Sequence, residues 1–431
     1  MKERIFENLK KYRMLIFLAI TTLLLFFAGL CEPLWIVAAV LTVGFFAFCS
    51  ITEILGLVLY FLSFSGIGLH YIVSLIAALV VIAIKYAIEL KQGKNKFYVL
   101  PIALTCLFVV VFSCVHYKIN WAGLEQGLMF IALMFGLYLM FVSKEKIDVH
   151  KCFELLGVGI CVSTILALGS LIFKGYAYPI YYQEYDLKRY QMLQMHINFL
   201  SMTCLFEISY LIYALINKKG NIWFNIAVIA VSVVTGIFTM SKAFMLVCAL
   251  FAVYAFIFMI VKLKKKSIKF VVPLAVVAIA FCVIFRDLIV DIFGRFTKFY
   301  KDGNLLDNIT TGRYSIWKKY IASITSSVPA MLFGAGFFSE RAVAIGPHNT
   351  YLHILYRVGF LGIILLGLIV YAYVKNSKSK IKITFSNCLP LLTYIFLSLE
   401  EQIFSERFFL FLILTIMLVL VPKAENEEKN Q

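Results

Sequence analysis

The sequence predicts an all-α polytopic membrane protein of about 12–14 transmembrane helices with both termini cytoplasmic. Three observations lead there. Of the 431 residues 62% are hydrophobic, 41 residues are Phe, and the mean hydropathy is +0.93, a composition foreign to soluble globular domains. Apolar runs of roughly 15–23 residues recur along almost the whole chain, each long enough to cross about 30 Å of hydrocarbon as a helix. The formal net charge of +17 is spread between those runs and not gathered on one stretch. That distribution fits orientation in a membrane and argues against a nucleic-acid partner.

The runs are centred near residues 14–30, 34–49, 51–66, 70–87, 98–115, 122–142, 153–173, 195–216, 222–239, 243–262, 269–287, 351–374, 384–399 and 405–422. The first follows Lys10, Lys11 and Arg13. Cys31-Glu32-Pro33 is a poor small-residue cleavage site, and a second run follows at once, so the first reads as an uncleaved span. Glu53 interrupts the second and third, which only Cys49-Ser50 separates. With the N-terminus inside, the segments assigned to the cytoplasm are strongly basic: Lys91/Lys94/Lys96, Lys144/Lys146/Lys151, Lys218-Lys219, Lys262 to Lys269, and Lys375/Lys378/Lys380/Lys382. An even number of spans satisfies this bias best. The ten cysteines lie mostly inside apolar runs without a Cys-x-x-Cys pair and read as small buried residues. No internal repeat or separately folding cytoplasmic domain is visible. The chain is expected to be one membrane domain, 1–431, with a short charged tail from Ala424 that is expected to be disordered.

That topology puts three features on the outer face. One is the tyrosine-dense loop from Lys174 to Gln194. The second is the tight turn at Met240-Ser241-Lys242. The third is the long segment 288–350, expected to be an external loop carrying part of the active site. Within it, Ile316, Tyr320, Ile321 and Ile324 make an apolar stripe at helical spacing, with Thr310 or Thr311 as N-cap and Arg313 in the first turn. Leu332-Phe333-Gly334-Ala335-Gly336 reads as a turn. The segment ends at Pro347-His348-Asn349-Thr350-Tyr351, and Arg357 lies two turns into the helix that follows. Arginine offers a fork to phosphate oxygens, lysine a point charge, and histidine a proton acceptor near neutral pH. Arg313, Lys242 and His348 on one face therefore suggest a site for an anionic, phosphate-bearing substrate. Singly, each has an ordinary explanation: headgroup anchoring for the cations, a cap or packing role for the histidine.

Together these motifs resemble the O-antigen polymerase and ligase superfamily, the Wzy-type membrane glycosyltransferases. The resemblance rests on Ser241-Lys242 opening a span, Gly312-Arg313 before Trp317, Leu332-Phe333-Gly334-x-Gly336, and Pro347-His348-Asn349-Thr350-Tyr351-Leu352 with Gly359 and Gly362, covering roughly residues 235–365. It implies a GT-C-like fold and glycosyl transfer on the outer face of a bacterial plasma membrane. The substrates would be oligosaccharides on undecaprenyl diphosphate. Lipids, a flippase and a chain-length regulator are the implied surroundings. No cofactor and no metal are implied. Carried over by motif, Arg313 and His348 are the catalytic candidates, with Lys242 and Asn349 binding substrate. Lys242 stands where family members more often have arginine, keeping the charge and losing the fork. Upstream, Arg189 with His196 and Asn198 is similar to the family's arginine before an Asn-bearing span start. His196 and Asn198 also read as an interfacial histidine and a helix cap. Arg357 completes the binding candidates, since an ionisable residue inside a span suggests function.

Glu184 and Asp186 are two apart and could hold a metal, although a solvated loop explains them as well. The tyrosines at 176, 178, 181, 182, 185 and 190 could stack on sugars or form an aromatic belt. Glu207 lies inside a span as a proton-relay or internally paired group, and Glu400-Glu401 with Arg407 sit at the outer ends of the last two spans. A lipid-linked oligosaccharide flippase is the competing reading. Transporters, however, show matching halves with broken spans, and here the polar residues gather on one face. Within the superfamily, a polymerase of capsular, exopolysaccharide or O-antigen repeats is the reading preferred over a ligase or a protein glycosyltransferase.

Overall fold

The computed structural model describes residues 2–115, 121–173, 176–184, 187–194, 196–263, 305–310, 312–339, 346–376, 379–401 and 409–422, with Arg286, Val290 and Ala342 besides. Helices dominate them. The first ten are α1 (Lys2–Ala28), α2 (Leu34–Phe46), α3 (Ile51–Leu62), α4 (His70–Lys91), α5 (Val99–Cys114), α6 (Trp121–Val142), α7 (Val149–Ser170), α8 (Ile197–Ile216), α9 (Ile222–Phe238) and α10 (Lys242–Leu263). Then come the short α11 (Leu305–Thr310), α12 (Arg313–Ile324) and α13 (Val328–Phe333), followed by α14 (Thr350–Asn376), α15 (Cys388–Glu400) and α16 (Phe409–Val419). The described residues thus form a helical, multi-pass membrane protein. The run expected at 269–287 lies outside the described residues, apart from Arg286.

Four helices, α4, α7, α8 and α14, are long and apolar enough to cross a membrane unaided. Helices α2 and α3 are shorter than the expected spans, with 13 and 12 residues. At 1.5 Å per residue they rise only about 20 Å. Local chemistry sets the ends of α3. Ser50 and Glu53 form a reciprocal capping box at its start, and Gly66 approaches the 193–194 backbone, its N–H donating to Leu193 O at 2.9 Å. Almost every residue of α3 is buried. Its backbone is sheltered by α7 and α4, so it need not span lipid by itself. Aromatic stacking fills the core around it, as in Phe153 on Tyr210 at 4.0 Å and Phe206 on Phe411 at 4.3 Å.

Alternating helix directions give the bundle two chemically different ends. At one, lysines and arginines meet carboxylates and backbone: Arg13 pairs with Glu53 at 2.9 Å, Lys146 with Glu89, and Lys85 with Cys49 O at 2.6 Å. At the other lie the tyrosine-dense loop, the 239–242 turn and the segment before α14. The loop carries the antiparallel pair β1 (Tyr181–Glu184) and β2 (Leu187–Tyr190), in register Tyr181↔Tyr190. A second short pair, β3 (Ser379–Ile381) and β4 (Leu420–Pro422), closes the opposite end. Tyr176 lies on Gly29, where an added Cβ would sit 2.1 Å from its ring, and Tyr190 packs on Phe238 at 5.5 Å. These tyrosines bind the loop to the bundle.

Helix α14 is broken. Gly359 has φ +59° and ψ −169°, and the break frees the Tyr356 and Arg357 carbonyls from their helical partners. Ala335 N–H donates to Tyr356 O at 2.7 Å, and Gly336 N–H to Arg357 O at 2.9 Å. The glycine turn thus replaces the missing turn of helix. The approach is backbone on backbone: a Cβ at Gly334 would lie 2.6 Å from Arg357 C, and one at Gly359 2.4 Å from Leu332 O.

Candidate active site

The site is built at the end of the bundle where α8 and α14 begin and α15 ends. Helix α12 starts as its sequence requires. Gly312 takes φ +79° as N-cap residue, Thr310 Oγ1 accepts from Tyr314 N at 3.0 Å, and Asp307 accepts from Ser315 N at 2.7 Å. The N-cap is thus Gly312 and not Thr310, which ends α11 and lends only its hydroxyl to Tyr314 N; Thr311 lies outside the described residues. Of the expected stripe, Tyr320 and Ile324 are buried, Ile316 is partly buried, and Ile321 is 48% exposed. This start holds Arg313 at the first position of the helix.

Pro347 to Thr350 work as a set. Trp317 Nε1 donates to Pro347 O at 2.8 Å. His348 stands at φ +45°, a conformation that a non-glycine residue holds only under constraint. Asn349 accepts from Leu352 N at 3.0 Å, capping α14, and its amide donates to Leu399 O at 3.4 Å. Thr350 Oγ1 donates to Glu401 O at 2.6 Å. Asn349 and Thr350 thus satisfy carbonyls at the end of α15 that its own helix cannot.

Glu401 is the centre of the cluster. Its Oε2 lies 2.8 Å from His348 Nδ1. Its Oε1 accepts from Asn198 Nδ2 at 3.0 Å and lies 3.5 Å from Arg313 NH2. The other guanidinium nitrogen, Arg313 NH1, meets Glu400 Oε1 at 2.5 Å. Glu401 is 9% exposed and Arg313 17%, while His348 at 35% reaches furthest into solvent. Burial pushes the Glu401 carboxyl up. The hydrogen bond from His348, the charges of His348 and Arg313, and the Asn198 amide act the other way and prevail, holding it below its ordinary 4.5. It stays ionised at neutral pH.

Of the residues singled out from sequence, His348, Arg313, Asn198 and Asn349 come together around the end of α15. Lys242 opens α10, half-buried, at the turn where Met240 has φ +49°. Arg189 Nε donates to Thr239 O in that same turn at 3.1 Å, joining these two cations to one short segment. His196 is exposed and caps α8, its Nδ1 accepting from Asn198 N at 3.2 Å. Arg357 lies apart, 1% exposed. Its NH1 donates to Ser339 O at 2.6 Å, Ser339 Oγ at 2.9 Å and Phe337 O at 3.2 Å. It clasps the turn that docks on the broken helix. Glu401 itself was legible only as one of two carboxylates at a span end. The Glu184 side chain, Asp186 and Arg407 lie outside the described residues. Among the described residues no group of three or more His, Cys, Asp or Glu is placed to hold a metal.

A buried carboxylate, a histidine with one nitrogen turned outward and an arginine fork suit proton transfer beside an anion. Residues 226–367 match the O-antigen ligase family model. The matched segment covers about a third of the chain and contains Lys242, Arg313, His348, Asn349 and Arg357. The likeness to the O-antigen polymerase and ligase superfamily, read first from motifs, is thereby borne out over this stretch. Arg189, His196, Asn198, Glu400 and Glu401 fall outside the matched segment, so it accounts for only part of the cluster. No curated protein matches the chain.

Proposed function

We propose that this protein polymerises oligosaccharide repeat units carried on undecaprenyl diphosphate, building capsular polysaccharide, exopolysaccharide or O-antigen. The work is done on the outer face of the bacterial plasma membrane. One observation carries the reading: Arg313 and His348, the two catalytic candidates, meet at the same carboxylate although 35 positions separate them in the chain.

His348 accepts the proton of the attacking sugar hydroxyl as the new C–O bond forms. The bond from the anomeric carbon to the diphosphate breaks, and the diphosphate leaves with the electron pair. Arg313 and Lys242 hold that leaving charge, with Arg189 supporting the turn that presents Lys242. In the described structure Arg313 faces Glu400 and Glu401, so diphosphate enters by exchanging phosphate oxygens for carboxylate oxygens on one guanidinium. Cations fixed in the chain can stabilise the leaving group without a divalent ion, so activity is expected to survive chelation. Between α10 and α15 an apolar groove lined by Val247, Phe251, Leu389, Leu392 and Phe396 extends from below Lys242 and Glu400. Its polarity suits the isoprenoid chain of the carrier.

The description of the matched family favours one second reading, a ligase that passes the finished glycan to lipid A. Purified protein in lipid, given undecaprenyl-diphosphate-linked repeat units, separates the readings. A polymerase yields a ladder of longer lipid-linked sugars, and Arg313→Ala and His348→Ala should each lower its rate about 100-fold or more. Transfer only to added lipid A makes it a ligase. Movement of intact lipid across the bilayer without bond formation makes it a flippase and overturns the proposal.

A further inference from the structure

We infer that Glu401 is the positioning residue of this site, selecting the histidine tautomer that can act as a base. The inference rests on the proposed role of His348 for its catalytic consequence, though not for its structural one. The two oxygens of Glu401 are loaded differently. Oε1 faces donors only, Asn198 Nδ2 at 3.0 Å and Arg313 NH2 at 3.5 Å. Oε2 faces His348 Nδ1 at 2.8 Å. An ionised carboxylate has no hydrogen to give. The contact with Nδ1 therefore exists only when Nδ1 carries the proton, and in the neutral imidazole this leaves Nε2, the nitrogen turned away from Glu401, with a free lone pair.

The backbone that carries the carboxylate is held as well. Its own backbone carbonyl is held by Thr350 Oγ1 at 2.6 Å, and its N–H by Leu397 O at 3.0 Å. The imidazole is held from its own side, because His348 sits at φ +45° between Pro347, fixed by Trp317, and Asn349, fixed on Leu399. The titratable groups in contact with Glu401 are His348 before α14 and Arg313 on α12, and the neighbouring Glu400 shares that arginine. Lys242 opens the neighbouring α10, and Arg189 is docked on the 239–242 turn.

The asymmetry predicts what Glu401→Gln does. The amide has one oxygen and one NH2. The oxygen goes to the side of Asn198 and Arg313, which only donate, and the NH2 then faces His348. It donates to Nδ1, so Nδ1 loses its proton and Nε2 gains one. The fold stays and the base is lost. With uniformly ¹⁵N-histidine protein in lipid nanodiscs, the His348 signals are assigned by difference from His348→Gln. Wild type should show a protonated Nδ1 and a bare Nε2. Glu401→Gln should show the reverse, with turnover down about 100-fold or more and KM little changed. Glu400→Gln, which removes a neighbouring charge but no contact to His348, should leave the tautomer as in wild type.

An unchanged His348 tautomer in Glu401→Gln overturns the inference. A reversed tautomer with undiminished polymerisation upholds the positioning role and instead removes His348 from the proposed mechanism. Should Glu401→Gln fail to fold, Glu401→Ala serves in its place: a mixture of tautomers supports the inference, and a single protonated Nδ1 overturns it.

Discussion

At the scale of single residues, the polar groups of this protein divide into those that build and those that face the reaction. Arg357 builds: it is buried, and its charge is spread over carbonyls of the 336–339 turn. His348 is the most exposed member of the cluster around Glu401. Glu401 lies between these extremes, and its ionisation is linked to stability. Its carboxyl is held below the ordinary 4.5 in the folded protein. A depressed folded value means stabilisation that is fully present above the unfolded value and lost as pH falls through the folded one. The difference in melting temperature between wild type and Glu401→Gln in detergent should therefore be flat from pH 7 to about 5 and shrink below about 4.5. A difference that grows on acidification would show that the carboxyl is not charged in the fold. None of this was legible from sequence, because the partners of Glu401 lie 53, 88 and 203 positions away. Hydropathy reports which residues share a helix and is silent on which loops share a carboxylate.

At the scale of elements, legibility was high wherever a single helix sets its own limits. The apolar runs at 222–239 and 243–262 became α9 and α10 within a residue, and Arg313 stands in the first turn of α12 as expected. The broken helix is different. Thr350 to Asn376 reads as one continuous apolar segment, and the two glycines at 359 and 362 look alike in it. Only the docked turn 334–336 shows why the chain needs positive φ at 359. Gly359→Ala places a side chain at φ +59°, with its Cβ 2.4 Å from Leu332 O. Strain alone costs about 1–3 kcal/mol, and the contact adds to it. Thermal unfolding in detergent should occur at a clearly lower temperature. Gly367→Ala, where a Cβ meets no atom within 4 Å, should be close to neutral; equal losses at both positions would mean that the break does not carry stability.

At the scale of the whole molecule, three regions that sequence analysis placed on one face are physically joined. Arg189 ties the tyrosine-dense loop to the 239–242 turn, and Asn198 ties the start of α8 to Glu401. The ties differ in kind, and that has a consequence for motion. Asn349, Thr350 and Trp317 hold the turn that presents His348 through backbone carbonyls, whereas Arg313 reaches the site only through its ion pairs with Glu400 and Glu401. On the proposed mechanism an anionic substrate exchanges the partners of Arg313 while the base, its carboxylate and the helices around them stay together. Spin labels at Ser398 and Leu352, and at Ser398 and Lys318, should therefore keep their separations when lipid-linked substrate is added. A change in either distance would show that the turn itself moves. A transferase built this way could loosen its grip on product after every cycle without detuning the group that starts the next.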